Sequence, residues 1–191
     1  MAEILADQGF ERIDADEIGH AVLTEPGLIQ LIAENWPSAV ADGAVDRRAL
    51  GGIVFADRKQ LAMLESMTHP RIRKALARRV SEVEGDALVV EMPILRDLVA
   101  GEWIRIAVDT DYDVRLDRLR SRGLSTEEAL ARMAAQPRRA EYIDSADHVI
   151  RNDGSLDDLT EAVARLLDEL CIDRPAAVTD DTSDSRRDGI E

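Results

Sequence analysis

The stretch Ala87-Leu88-Val89-Val90-Glu91 decides the fold. Its apolar residues follow one another without alternation, so a strand here turns apolar side chains to both faces of its sheet. Strands of that kind belong to parallel sheets covered by helices on either side. Phe10 to Ile13 and Trp103 to Val108 are further short apolar runs, and His148 to Ile150 is a weaker one. Segments of helical period lie between them, which predicts an α/β layered fold.

Before this strand, roughly 70 residues separate it from the run at Phe10, far more than one crossover helix needs. They read as helices over Pro26 to Glu34, Arg47 to Phe55, Asp57 to Met67 and Pro70 to Val83, with Pro70 in a first turn where its missing N–H costs nothing. This predicts a helical insertion over about residues 22–86. After the third run comes an arginine-rich helical excursion over about 111–142, in which Val114 to Ser121 is one helix and Ser125 with Glu128 forms a capping box for the next. Ser155 can cap a last amphipathic helix that carries Leu156, Leu159, Val163, Leu166, Leu167 and Leu170 on one face. From Asp173 onward Asp, Ser and Thr dominate, predicting a disordered acidic tail over 173–191. At the other end, Met1 opens what reads as the middle of a helix, with Ile4 and Leu5 on one face and Gly9 as its stop.

The bulk composition narrows the function. A chain of 191 residues with 45% hydrophobic and 33% charged residues is long enough for one domain with a real core. A net charge of -15 argues against broad nucleic-acid or membrane-surface binding, since both are polyanions. The single cysteine, Cys171, excludes an internal disulfide, and no Cys/His cluster has zinc-site spacing. No apolar stretch approaches the 18 or so residues of a membrane span, and no leader pattern is visible, so a cytoplasmic location is expected.

Candidate chemistry gathers at three places. Asp14 and Asp16 stand at the carboxyl end of the first strand, where open α/β sheets bind their ligands. One of them can take a proton from a substrate hydroxyl or orient a magnesium ion through water, but either can equally cap the helix that follows, and spacing alone favours capping. Arg118, Arg120, Arg122, Arg132, Arg138 and Arg139 form a cluster suited to phosphate, because the guanidinium fork donates paired hydrogen bonds and stays charged. Any one of them is as well explained by a solvated helix face with i,i+4 partners. His69, introduced by Thr68 and followed by Pro70, can bond a substrate or close a turn. Asn152, in the turn Arg151-Asn152-Asp153-Gly154, can touch a base, although turn chemistry also accounts for it.

In order and spacing, the stretches IDADEIGHAV, DRRALGGIVFAD, THPRIR, VVEMPIL, VDTDYDVRLDRLRSRGLSTEEALARMAAQ and ADHVIRNDGSLDDL resemble the dephospho-coenzyme A kinases, members of the P-loop kinase class, from Ala2 to about Leu170. The resemblance implies a three-layer fold with a parallel sheet, a helical substrate-binding insertion and an arginine-rich lid. It implies ATP-dependent phosphorylation of the ribose 3'-hydroxyl of dephospho-coenzyme A to coenzyme A, with Mg2+ accompanying ATP. Asp16 matches the catalytic aspartate, Arg118 and Arg122 match lid positions that contact ATP phosphates, Asn152 falls near adenine, and His69 lies in the coenzyme A binding part. Arg96-Asp97 after Pro93-Ile94-Leu95, and Pro137 after Gln136, depart from the pattern.

The chain contains no G-x-x-x-x-G-K-[ST], the loop whose backbone N–H groups cradle phosphate and whose lysine reaches the transferred group. In the family that loop, with the central first strand before it, precedes a segment like AEILADQG. A sheet without that strand forgoes about 6 to 15 kcal/mol of apolar burial, comparable to a domain's net stability. The expectation is therefore a protein whose start lies roughly 15 to 20 residues further upstream, and an inactive polypeptide if it does not. The alternatives are a non-catalytic relative that binds coenzyme A-like ligands or a protein partner, and a helical interaction protein that uses its acidic surface.

Overall fold

A computed structural model describes residues 1–84, 87–92, 98–134, 136, 138–173 and 175. The stretch 93–97, Pro137 and nearly all of the expected tail lie outside the described residues. Six strands and nine α-helices follow one another among those described, beginning with α1 (Ala2–Ala6), β1 (Glu11–Asp14), α2 (Ala15–Val22) and α3 (Pro26–Asn35). A 3-10 turn at Pro37–Ala39 leads into β2 (Val40–Ala41) and β3 (Ala44–Val45), then α4 (Arg47–Val54), α5 (Arg58–Glu82) and β4 (Leu88–Glu91). The chain continues through β5 (Ile106–Asp109), α6 (Tyr112–Ser121), α7 (Thr126–Ala134), α8 (Arg139–Asp144), β6 (His148–Arg151) and α9 (Leu156–Glu169).

The α/β reading holds. β1 pairs with β4 in parallel, Ile13 opposite Val90, and β5 pairs with β6 in parallel, Val108 opposite Ile150. Among the described residues these are separate two-stranded sheets, with no pairing between β4 and β5. Both pairs nonetheless rest on one core. Val89 of β4, Ile106 of β5 and Ile150 of β6 pack with Ile4 and Leu5 of α1 and with Leu159, Val163, Leu166 and Leu167 of α9. α1 and α9 thus join the two strand pairs through one shared core.

A second core belongs to the helical part between β1 and β4. Val22, Leu28, Ile32, Trp36, Leu50 and Val54 are buried there against one side of α5, and the Trp36 indole N–H donates to Gln60 Oε1 at 2.6 Å. A third, smaller core of Ile13, Ala15, Leu76 and Leu98 joins α5 to β1 and β4.

Four sequence expectations need correction. The helices expected at Asp57 to Met67 and Pro70 to Val83 are one 25-residue helix with Pro70 inside it. Interior proline costs an α-helix about 3 kcal/mol. Here α2 and α4 pack along α5, Leu76 is fully buried, and Thr68 Oγ1 and Arg71 Nη1 donate to the carbonyls of Leu64 and Met67, so packing outweighs the break. The third strand starts at Ile106, not Trp103, because Gly101 takes a left-handed φ of 109°, the Trp103 indole donates to the Ala100 carbonyl, and the Arg105 N–H is taken by Asp147 Oδ2. The first strand runs one residue later than expected, since Phe10 is buried and its N–H closes onto the Leu5 carbonyl. The helix placed at Val114 to Ser121 begins at Tyr112. No described helix is long and apolar enough to cross a membrane.

Candidate functional site

Asp14 is the cap. It ends β1, and its Oδ1 accepts from the N–H groups of Asp16 at 2.8 Å and Glu17 at 3.3 Å, satisfying donors that the first turn of α2 leaves open. Its Oδ2 accepts from Arg12, which also bonds Glu91, the residue opposite Asp14 in β4. The Arg12 guanidinium is raised above its ordinary range, first by the hydrogen bond to Glu91. Because Asp14 does the capping, the Asp16 carboxylate is left over: it is 63% exposed at the carboxyl end of the strand pair, with His20 Nε2 at 3.5 Å one helical turn on.

The arginine-rich excursion closes on the turn after β6. Arg118 of α6 donates from Nη1 to the Asn152 carbonyl at 2.6 Å and from Nη2 to the Gly154 carbonyl at 2.7 Å. Thr110 Oγ1 donates to the same Asn152 carbonyl, and the Asp111 N–H donates to Asp153 Oδ1. The structure therefore brings Arg118 and Asn152 together, with Arg118 as a brace on the backbone of that turn. A cleft of about 270 Å3 opens beside it, lined in part by Arg115, Arg118, Arg122 and Arg132. Ser125 and Glu128 make the expected capping box at α7, and the hydrogen bonds from Ser125 hold the Glu128 carboxyl below its ordinary range.

His69 sits elsewhere. α2 and α5 run antiparallel: Glu25 faces Arg71, Gly19 meets Ile72, and Glu17 shares a cleft with Arg78 and Arg79. The half-buried His69 is level with the last turn of α2, while Asp16 is in the first, so the shared helix pair separates the two along its length.

The strongest ionic cluster went unread in the sequence. Asp109 ends β5 and is the one buried charged residue among those described. Arg139 of α8 holds it with two bonds, from Nε to Oδ1 at 2.6 Å and from Nη2 to Oδ2. Arg151, opposite it in β6, also donates to Oδ2 and reaches Asp111 and Asp153. The Arg139 bond, assisted by Arg151, pulls the Asp109 carboxyl down to about 2 against the cost of burial, and Arg151 is raised in turn, most by Asp111. The available signal was a charged residue at the end of each of two paired apolar runs. The described residues contain no group of three or more His, Cys, Asp or Glu arranged to hold a metal.

Residues 1–158 match the family model described as dephospho-CoA kinase. A dephospho-CoA kinase of Frankia casuarinae is 40% identical over 185 residues, covering 94% of this chain and 81% of that protein. One of Corynebacterium glutamicum is 34% identical, covering 89% and 92%. A solved dephospho-CoA kinase from Campylobacter jejuni superposes with a TM-score of 0.61 at 28% identity, covering 88% of each chain, and a solved Thermus thermophilus protein superposes with a TM-score of 0.74 at 31% identity, covering 88% of this chain and 89% of that one.

Proposed function

The chain belongs to the dephospho-CoA kinase family, and from that premise we propose that it serves transfer of the ATP γ-phosphoryl group to the ribose 3'-hydroxyl of dephospho-coenzyme A, with Asp16 accepting the hydroxyl proton. One observation carries the assignment of Asp16: Asp14 caps α2, so the second carboxylate, 63% exposed beside His20, is open to a substrate. A carboxylate in that position orients the hydroxyl and takes its proton as the oxygen bonds phosphorus. Arg122, with Arg115 and Arg132 in the same cleft, offers its guanidinium to the phosphates of ATP. Arg118 contributes through the turn that it braces, which sets Asn152 beside the adenine. His69 contacts dephospho-coenzyme A from the helical part. Mg2+ accompanying ATP would be carried mainly by the substrate phosphates and would neutralise their charge; among the described residues no group of three or more His, Cys, Asp or Glu is arranged to hold it.

Residues 1–191 carry no phosphate-cradling loop of the G-x-x-x-x-G-K-[ST] type. A polypeptide of these residues alone is accordingly expected to bind dephospho-coenzyme A without measurable transfer, which is also what a ligand-binding relative would do. Calorimetry with dephospho-coenzyme A tests the acceptor site. Binding is expected, weakened about five- to tenfold by His69→Ala, the loss of roughly one hydrogen bond, and changed less than about threefold by Asp16→Asn. No binding by the unmodified chain would refute the assignment. A chimera with a strand ending in G-x-x-x-x-G-K-[ST] placed before Met1 tests the chemistry: transfer should appear, and Asp16→Asn should lower it about a hundredfold or more. Transfer that survives Asp16→Asn would remove Asp16 from its role.

A further inference from the structure

The two cations on Asp109 are held very differently. Arg151 sits on β6, directly opposite Asp109 in the parallel register, and is fixed further by Asp111 and Asp153. Arg139 sits on α8, a six-residue helix with no buried residue that packs on β5. Its two bonds to Asp109 tie this helix to the sheet, while its side chain remains 54% exposed. A buried carboxylate with one cationic partner cannot release that partner cheaply, because the charge would be left uncompensated. With two partners, one can leave.

We propose that Asp109 and Arg151 are positioning residues for the arginine-rich lid: they park Arg139 at the end of β5 and release it to an incoming polyphosphate, with Arg151 keeping Asp109 compensated. Arg139 is the partner that exchanges because α8 is lightly held, and phosphate oxygens offer the guanidinium the same paired geometry as the carboxylate. The inference rests on reading α6 to α8 as the lid over the ATP phosphates.

Inorganic tripolyphosphate is the probe, and its affinity is measured by calorimetry for the wild-type chain, Asp109→Asn, Arg139→Gln and the double variant. Asp109→Asn removes the competitor for Arg139, so binding should tighten about fivefold, whereas in the Arg139→Gln background the same change should move affinity less than about twofold. Equal tightening in both backgrounds would be a simple field effect of removing one negative charge, and no tightening would leave the carboxylate without influence; either result overturns the proposal. Should Asp109→Asn fail to fold, the wild-type chain supplies a second readout. Its Arg139 Nε–H resonance should shift on saturation with tripolyphosphate while that of Arg151 stays in place. An unmoved Arg139 signal in the bound protein overturns the release but not the lid. No binding of tripolyphosphate by the wild-type chain overturns both.

Discussion

At Asp109, burial and two guanidinium groups compete over one proton. The guanidiniums win, and the carboxyl is held at about 2 in the folded state against an ordinary value of 3.8. A folded value below the unfolded one means stabilisation that is present above about pH 4 and lost as pH falls towards 2, amounting to about 2 kcal/mol. Urea unfolding at pH 5 and pH 2.5 should show a loss in the wild-type chain that is larger than the loss in Asp109→Asn by about two thirds of that amount, since the folded carboxyl is still mostly ionised at pH 2.5. An equal acid sensitivity in the two proteins would contradict it. This residue also shows where sequence reading stopped. Capping by Asp14 is local, two residues from its partner, and spacing indicated it. Asp109 meets Arg139 and Arg151 across 30 and 42 residues, and it takes the packing of α8 on β5 and the pairing of β5 with β6 to bring them together.

Among the elements, the apolar run at Ala87 announces β4, and the capping box at Ser125 and the cap at Ser155 announce α7 and α9, because each signal lies within a few residues of the structure that it makes. The hairpin of β2 and β3 is equally local: Asp42 and Gly43 stand between Val40-Ala41 and Ala44-Val45 with φ of 52° and 76°, the two left-handed residues that a tight hairpin turn requires. Gly43→Ala should cost about 1 kcal/mol, read as a lower thermal midpoint, since only the glycine adopts that conformation freely. α5 is the opposite case, in which distant packing overrides the local signal. Pro70 is a strong local stop, and it is overruled by the packing of α2 and α4 along α5. Pro70→Ala should therefore raise stability by about 1 kcal/mol or more, through the restored N–H and the relieved Ser66 carbonyl, and a thermal midpoint higher by several degrees is the measurement. A lower midpoint would mean that the flanking helices have come to depend on the proline.

Across the whole molecule, burial is uneven. Leu28, Ile32, Ala39 and Leu76 are fully buried in and beside the helical part, whereas Val108 and Val149, in the middle of the β5 and β6 pair, are each 42% exposed. Amide exchange should follow this division, slowest in α3 and around Leu76 of α5 and faster by an order of magnitude or more in β5 and β6. Uniform exchange across both regions would show one cooperative unit instead. The parallel pairing was predictable from the apolar runs, but the separation of the sheet into two pairs over a shared core emerges only when α1 and α9 are seen beneath both. α5 has a mechanical consequence as well. At 25 residues it is about 37 Å long, and it is anchored in the helical core at one end and against β1 and β4 at the other. With Pro70 near its midpoint, a bend of about ten degrees there swings the far end through about 3 Å. The helix is a lever whose fulcrum lies beside His69, so any bend there changes the spacing between the two cores.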